Sequence, residues 1–272
     1  MTALLALNNI SIKRDGRLLV DDVSIALNTG RLLVLMGENG AGKSTLLKAA
    51  CGDIAPDSGH VKLMGQTLST WSTLERAKRR AVLAQETNVA FMFTALEVVL
   101  LGRSPHCNGN PGARDVAIAH AALALLDMQR FTHRLYPTLS GGERARVALA
   151  RTMAQVWEPL DEKNNKGEKN ETPRIMLLDE PIAALDIAHQ HLALQVVRNF
   201  TKQNQCAALV VLHDLNLAAQ YADEIALLKN GRLLAVDTPD HVLSKANMAT
   251  CFGCDLRRIT HPESGRPILF AA

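Results

Sequence analysis

Short apolar runs recur along the chain, each closed by glycines or charged residues: Leu32–Met36, Ile175–Leu178 and Ala207–Leu212. Runs of this length with such boundaries read as buried strands. Ahead of the first, Leu4–Ile12 and Leu18–Leu27 flank a turn at Asp15-Gly16, which predicts an antiparallel β-layer. Pro56-Asp57-Ser58-Gly59 is a turn signal, and His60–Met64 returns as a strand. Glu224–Lys229 and Arg232–Asp237, joined by Asn230-Gly231, carry the strongest hairpin signal in the sequence. Helical character takes over across Thr94–Leu126. It has a capped start at Thr94-Ala95-Leu96-Glu97, a loop from Gly102 to Gly112, and an alanine- and leucine-rich stretch over Ala113–Leu126. Further helices are expected after Glu143 to about Val156, over Leu185–Phe200 and from Leu215 to Tyr221, with a final one opened by Thr238-Pro239-Asp240. The last twenty residues give no clear pattern, and there is no internal repeat.

This alternation predicts an α/β fold. Its mostly parallel core and N-terminal antiparallel β-layer take about residues 1–84 and 157–250, and a helical subdomain, about 85–156, is inserted between the strands. All 272 residues fit a single large domain. Residues 158–173 are rich in Asp, Glu, Lys and Asn and read as a solvated, flexible loop. The basic run Leu74–Arg80 reads as a solvated helix face, with contact to a membrane surface or membrane subunit as the less favoured alternative.

Composition narrows the partners. A net charge of +3 is slight and argues against nucleic acid. No apolar run approaches the ~18 residues of a membrane span, and the N-terminus lacks the basic and apolar regions of a secretory signal. A protein made and kept in the cytosol is expected. Five scattered cysteines fit a reducing compartment. Cys251-Phe252-Gly253-Cys254 has CxxC spacing without a second pair, so ordinary thiols are the favoured reading over a metal or redox site. His189 and His191 are two apart and point to different faces of a helix, which does not make a ligand set.

Between the strand Leu32–Met36 and a helix start at Ser44–Ala50 lies Gly37-Glu38-Asn39-Gly40-Ala41-Gly42-Lys43-Ser44-Thr45, which fits G-x-x-x-x-G-K-[ST]. Glycines let the backbone fold around an anion with its N–H groups inward, at the positive end of a helix dipole. Lys43 would reach the β- and γ-phosphates, and the Ser44 hydroxyl would bind Mg²⁺. This motif, flanked by strand and helix, implies nucleoside triphosphate binding. Leu139-Ser140-Gly141-Gly142-Glu143 contains a capping box, Ser140 to Glu143, but the box does not explain two consecutive glycines. Their exposed N–H groups at a helix start make a second anion site. Arg174–Glu180 is an apolar strand ending in two carboxylates, which suits delivery of Asp179 to Mg²⁺ and Glu180 to an attacking water. His213-Asp214 closes the strand Ala207–Leu212.

These motifs with Gln85, in this order, resemble the ATP-binding-cassette transporter ATPases over about residues 5–245. The resemblance implies a P-loop NTPase core and a composite site. Two copies meet head to tail, each ATP lying between Gly37–Thr45 of one and Ser140-Gly141-Gly142 of the other. By position it implies that Asp179 holds Mg²⁺, Glu180 is the general base and His213 touches the γ-phosphate. Gln85 would link Mg²⁺ and water to the helical block, and Asp186 would lie in the loop that crosses to the second copy. The sequence departs from the family at three places. Ile182 and Ala183 stand for the usual Thr and Ser, Ala145 for a common Gln, and Arg14 for the aromatic that stacks on adenine; a guanidinium plane can also stack on a base. Glu97–His106 looks like the importers of iron chelates, cobalamin and haem. Leu135–Arg146, Trp157-Glu158-Pro159 and Ala188-His189-Gln190 look most like the haem-import ATPases. The resemblance therefore implies an ATPase bound to integral membrane permease subunits at the cytoplasmic face of a bacterial inner membrane, with a periplasmic substrate-binding protein as an indirect partner. Iron-siderophore and cobalamin import are the near alternatives. A soluble cassette ATPase of DNA repair or translation would carry a long coiled coil or a second cassette, and a P-loop kinase would leave Leu139–Glu143 and His213 unexplained.

Overall fold

The computed structural model describes residues 3–85, 92–158, 172–253 and 255–271. The chain divides into two compact units, one of Met1–Trp71 with Ala207–Ala272, the other of Ser72–Cys206. In the first unit, β1 (Leu5–Arg14) and β2 (Arg17–Leu27) pair antiparallel. The turn between them has positive φ at Asp15 and Gly16, the geometry of a two-residue hairpin. Leu5 and Leu7 are buried, and then Ile10 and Ile12, so the period-two pattern slips by one residue. The ladder shifts register at the same place, with Asn9 at φ 49°, so a bulge turns both halves of the strand to the core. β3 (Leu32–Gly37) is buried throughout and runs through the glycine loop into α1 (Lys43–Cys51). β4 (Ser58–Leu63) and β5 (Gln66–Thr67) complete an antiparallel layer of order β2-β1-β4-β5.

The second unit begins with α2 (Thr73–Arg79), which buries none of its residues, as its basic composition predicts, and β6 (Arg80–Leu83). Next come α3 (Ala95–Leu101), α4 (Ser104–Cys107), α5 (Ala113–Leu125) and α6 (Gly141–Val156). The unit closes with β7 (Arg174–Asp179), parallel to β6, and α7 (Ile187–Gln203). α4 interrupts the stretch Gly102–Gly112 that the sequence marks as a loop. It forms because its flanks are anchored. Arg103, 1% exposed, donates from Nε to Asp115 Oδ1 (2.9 Å), from Nη1 to the carbonyls of Ala154 and Trp157 (2.8 and 2.9 Å), and from Nη2 to Glu158 Oε1 (2.6 Å). Arg114 binds the other Glu158 oxygen at 2.6 Å, and His106 Nε2 donates to Gln155 O at 2.8 Å. Burial, then the Arg103 charge, hold the His106 imidazole below its usual range. Glu158 is thus buried and ion-paired, although it opens the stretch 158–173 expected to be solvated; the rest of that loop, 159–171, lies outside the described residues.

The chain returns to the first unit with β8 (Cys206–Val211), α8 (Leu215–Tyr221), β9 (Glu224–Lys229) and β10 (Arg232–Asp237). β3 lies between β8 and β9 and is parallel to both, while β10 is antiparallel to β9 across Asn230-Gly231, both at positive φ. The expected final helix is two: α9 (Pro239–Val242), and α10 (Lys245–Phe252), which restarts because the Ser244 side chain caps it through the Asn247 amide. The unreadable C-terminus forms a hairpin, β11 (Leu256–Thr260) with β12 (Pro267–Ala271). The fold is the P-loop α/β fold expected, with parallel strands carrying the glycine loop, an antiparallel β-layer, and helices α3–α6 inserted between that loop and β7.

Candidate functional site

Each unit carries candidate residues of its own, beginning in the first with the glycine loop. A Cβ on Gly37 would lie 2.3 Å from the Leu228 carbonyl oxygen, and one on Gly42 would lie 2.5 Å from that of Leu19. Gly42 also sits at φ 97°, so at both positions only glycine fits. Gly231 donates to Ala41 O at 3.2 Å and accepts from Asp21 N at 2.8 Å, so the β9–β10 turn and β2 both brace the loop. Among the described residues no side chain caps the N-terminus of α1, whose N-cap is Gly42. The helix dipole makes that end attractive to an anion. Lys43, 6% exposed, donates from Nζ to the carbonyls of Gly37 and Glu38 at 2.9 Å each. Glu38, Asn39 and Gly40 are exposed, Ala41 is buried, and Ser44 and Thr45 are half-buried.

In the same unit, Leu35 of β3 is in register with Val211 of β8. Two residues on, Gly37 and His213 leave neighbouring parallel strands at their carboxyl ends, where α/β folds bind ligands. His213 is exposed, and Asp214 caps α8 by accepting from the amides of Asn216 and Leu217 at 2.8 Å each. Arg14 ends β1. Its guanidinium is half-exposed and reaches Asp57 Oδ2 and Ala55 O, each at 3.4 Å.

In the second unit, Leu83 of β6 is in register with Leu178 of β7, so Gln85 and Glu180 follow their strands side by side. Both line a cavity of about 370 Å³ with Asp179, Pro181, Gly141 and Ala145. Asp179 is 8% exposed at the end of a strand that is apolar from Ile175 to Leu178. Glu180 has φ 48°, a conformation disfavoured for a glutamate, and such strain concentrates at functional positions. Asp179 and Gln85 offer hard oxygen donors in this unit, a chemistry that suits Mg²⁺.

Ser140 and Glu143 form a complete capping box at α6. Ser140 N donates to Glu143 Oε2 (2.7 Å), and Glu143 N donates to Ser140 Oγ (3.2 Å). A Cβ on Gly142 would come within 3.1 Å of Ala184 O, whereas one on Gly141 would meet nothing within 4 Å. Close packing therefore accounts for Gly142, but the fold of this chain does not require Gly141. Asp186 caps α7, accepting from His189 N at 2.9 Å, and its carboxylate also meets His189 Nδ1 at 2.8 Å. Those bonds hold the Asp186 carboxyl below its usual range. Ile187 next to it is 75% exposed, Ile182 is buried and Ala183 is exposed.

Sequence reasoning missed three sets of contacts: Gly231 under the glycine loop, the ion pairs of Glu158 with Arg103 and Arg114, and the hydrogen bonds of Arg146. Buried in α6, Arg146 donates to the carbonyls of Leu126 and Asp127 at 3.0 and 3.3 Å. No local pattern marks these partners, since each lies far along the chain. Cys251 is buried, its thiol pushed up chiefly by burial, while Cys254 lies outside the described residues.

Residues 20–158 match the ABC transporter family. The chain is 48% identical over 261 residues to the hemin import ATP-binding protein HmuV of Gloeobacter violaceus, covering 96% of this chain and 91% of that one. It is 46% identical over 266 residues to the protein of the same name from Pseudomonas entomophila, covering 98% and 99%. Its fold is similar, at a TM-score of 0.72 and 24% identity, to a dimeric ATP-binding cassette in a post-hydrolysis state with ADP and Pi, covering 86% of this chain and 98% of that one.

Proposed function

The chain belongs to the ABC transporter family and is an ATPase of that family, and on that premise we propose that it is the ATP-hydrolysing motor of a bacterial haem importer. The observation that carries the hydrolytic reading is the cavity shared by Gln85, Asp179, Glu180 and Gly141. Near-full-length identity to two hemin import ATP-binding proteins supports the haem reading.

In this reading Lys43 exchanges its two loop carbonyls for phosphate oxygens when ATP enters Gly37–Thr45. Glu180 takes the proton of the attacking water, and His213 contacts the γ-phosphate. Ser44, Gln85 and Asp179 would hold Mg²⁺, which when bound neutralises phosphate charge. Arg14, steadied by Asp57, lays its guanidinium on adenine. A second copy binds head to tail and covers the nucleotide with Ser140, Gly141 and Gly142, while Asp186 crosses toward it. Closure then depends on ATP and opening on hydrolysis. Among the described residues no helix is long and apolar enough to cross a membrane. Transport therefore requires integral permease subunits, engaged at the cytoplasmic face of the inner membrane and fed by a periplasmic substrate-binding protein.

Glu180→Gln should keep ATP binding and lower turnover ~10²–10⁴-fold, the usual worth of a general base. Turnover within a few-fold of the parent would reject the role. The permease contact is assigned to residues 94–106. Glu97 is a poor probe of it, because its carboxylate accepts from Thr94 N and Oγ1 at 2.7 and 2.8 Å and caps α3. Leu101, exposed on α3, is the better one. Leu101→Asp should abolish transport while ATP hydrolysis by the isolated protein continues. Deleting the gene from a bacterium that can live on haem as its sole iron source should stop growth on haem. Growth lost on a siderophore instead would reject haem and keep the ATPase.

A further inference from the structure

β11 and β12 form a two-stranded sheet of their own, a structure that is marginal in water unless it packs on something. It packs on α8, which begins two residues after His213. The contact grips both ends of that helix. At its start, Asn216 Nδ2 donates to Leu269 O (3.0 Å) and Asn216 Oδ1 accepts from Leu269 N (2.8 Å), so one side chain pairs with the β12 backbone as a neighbouring strand would. At its end, Arg266 Nη1 donates to the carbonyls of Ala219 and Ala222 at 2.8 Å each. These are the groups that a helix C-terminus leaves without intrahelical donors. Pro267 and Leu269 are buried beneath. α8 has only seven residues, Leu215–Tyr221, and a helix so short has little stability of its own. Its buried residues, Leu217, Ala218, Ala219 and Tyr221, anchor its body, and the hairpin contacts fix its two ends.

We propose that the C-terminal hairpin is a clamp that aims His213, with Asn216 and Arg266 as positioning residues for ATP hydrolysis. The proposal rests on the reading of His213 as a γ-phosphate contact. The link is short and stiff. Asp214, next to His213, is tied to the Asn216 amide, and the Asn216 side chain is tied to Leu269. Loosening the clamp lets the α8 N-terminus sample more positions. The bound ground state, held by the glycine loop, is little changed, but fewer complexes have the imidazole where the transition state needs it.

The test compares His213→Ala, Asn216→Ala, Arg266→Ala and the double variant His213→Ala/Asn216→Ala in the full chain, reading kcat, KM and nucleotide Kd. Asn216→Ala and Arg266→Ala should each lower kcat about fivefold with Kd unchanged, the scale of losing ordinary hydrogen bonds. Arg266→Lys, which keeps a donor, should recover part of the loss. In the His213→Ala background, Asn216→Ala should have no further effect. Should Asn216→Ala not fold, Asn216→Asp keeps the acceptor for Leu269 N but sets a charged oxygen against Leu269 O, so it should loosen the clamp and lower kcat at least as much. An impaired His213→Ala beside a normal Asn216→Ala and Arg266→Ala overturns the clamp alone. Parental turnover in His213→Ala removes the role of His213 and the clamp with it. Losses that multiply in the double variant, or a Kd that rises as kcat falls, also overturn it, because the hairpin then supports the unit as a whole.

Discussion

Helices α1 and α6 both start at glycines, yet their N-termini are built differently. At α1 the N-cap is Gly42, which has no side chain to cap with, and the glycines at 37 and 42 are forced by carbonyl oxygens closer than 3 Å to any added Cβ. At α6 the chain caps itself with Ser140 and Glu143, and Gly141 faces open space. The first end is shaped by close backbone contacts within its own fold. The second is already satisfied as a helix start and does not require its open glycine, which suits the proposed dimer, where the nucleotide on the second copy would lie against it.

Substitutions sharpen the contrast. The largest effect is expected from Gly42→Ala, whose methyl meets the Leu19 carbonyl in a backbone conformation hostile to alanine. It should cost roughly 1–3 kcal/mol or more in stability and remove ATP binding, read by thermal melting and nucleotide titration. Binding within twofold of the parent would mean that the loop is looser than its contacts imply. Ser140→Ala should cost about 1 kcal/mol, the usual worth of an N-cap. A smaller effect follows from pH. The Ser140 amide holds the Glu143 carboxyl below the usual carboxylate range against the opposing effect of burial, with a smaller contribution from the Ser140 hydroxyl. This contribution is present above the ordinary value of about 4.3 and is lost as pH falls through the lower folded-state value. Glu143→Gln should flatten that part of the acid-melting profile, and an unchanged profile would deny the box its charge. Gly141→Ala should be the mildest for the fold, within about 0.5 kcal/mol of the parent, while hydrolysis falls because the methyl enters the surface offered to the second copy. A large drop in melting temperature would show that Gly141 serves its own chain.

Most strands were legible because each is a run of side chains whose burial alternates or is continuous. The glycine loop, the capping boxes at Thr94 and Ser140, and the Asn230-Gly231 hairpin were legible because their partners lie within a few residues. What escaped has distant partners. α4 looked like loop because Gly102 and Pro105 break the local pattern, while the Arg103 bonds that fix it reach Ala154, Trp157 and Glu158. Glu158 looked solvated because its neighbours are charged, but it is buried between two arginines. The C-terminal hairpin has weak alternation and leans on α8, whose Asn216 is remote in sequence from Leu269.

By itself, then, the sequence determined the order of strands and helices, the phosphate-binding loop, and a family whose members hydrolyse ATP, since all of these are written in local pattern and motif. The tertiary structure decided where polar groups find partners. It set Gly37 and Gly42 against carbonyls of strands far along the chain, brought Gln85 beside Glu180 through the β6–β7 register, and closed the C-terminal hairpin over α8. The reason is physical. A hydrogen bond or a steric limit depends on distance in space, and only the folded chain makes residues far apart in sequence into neighbours.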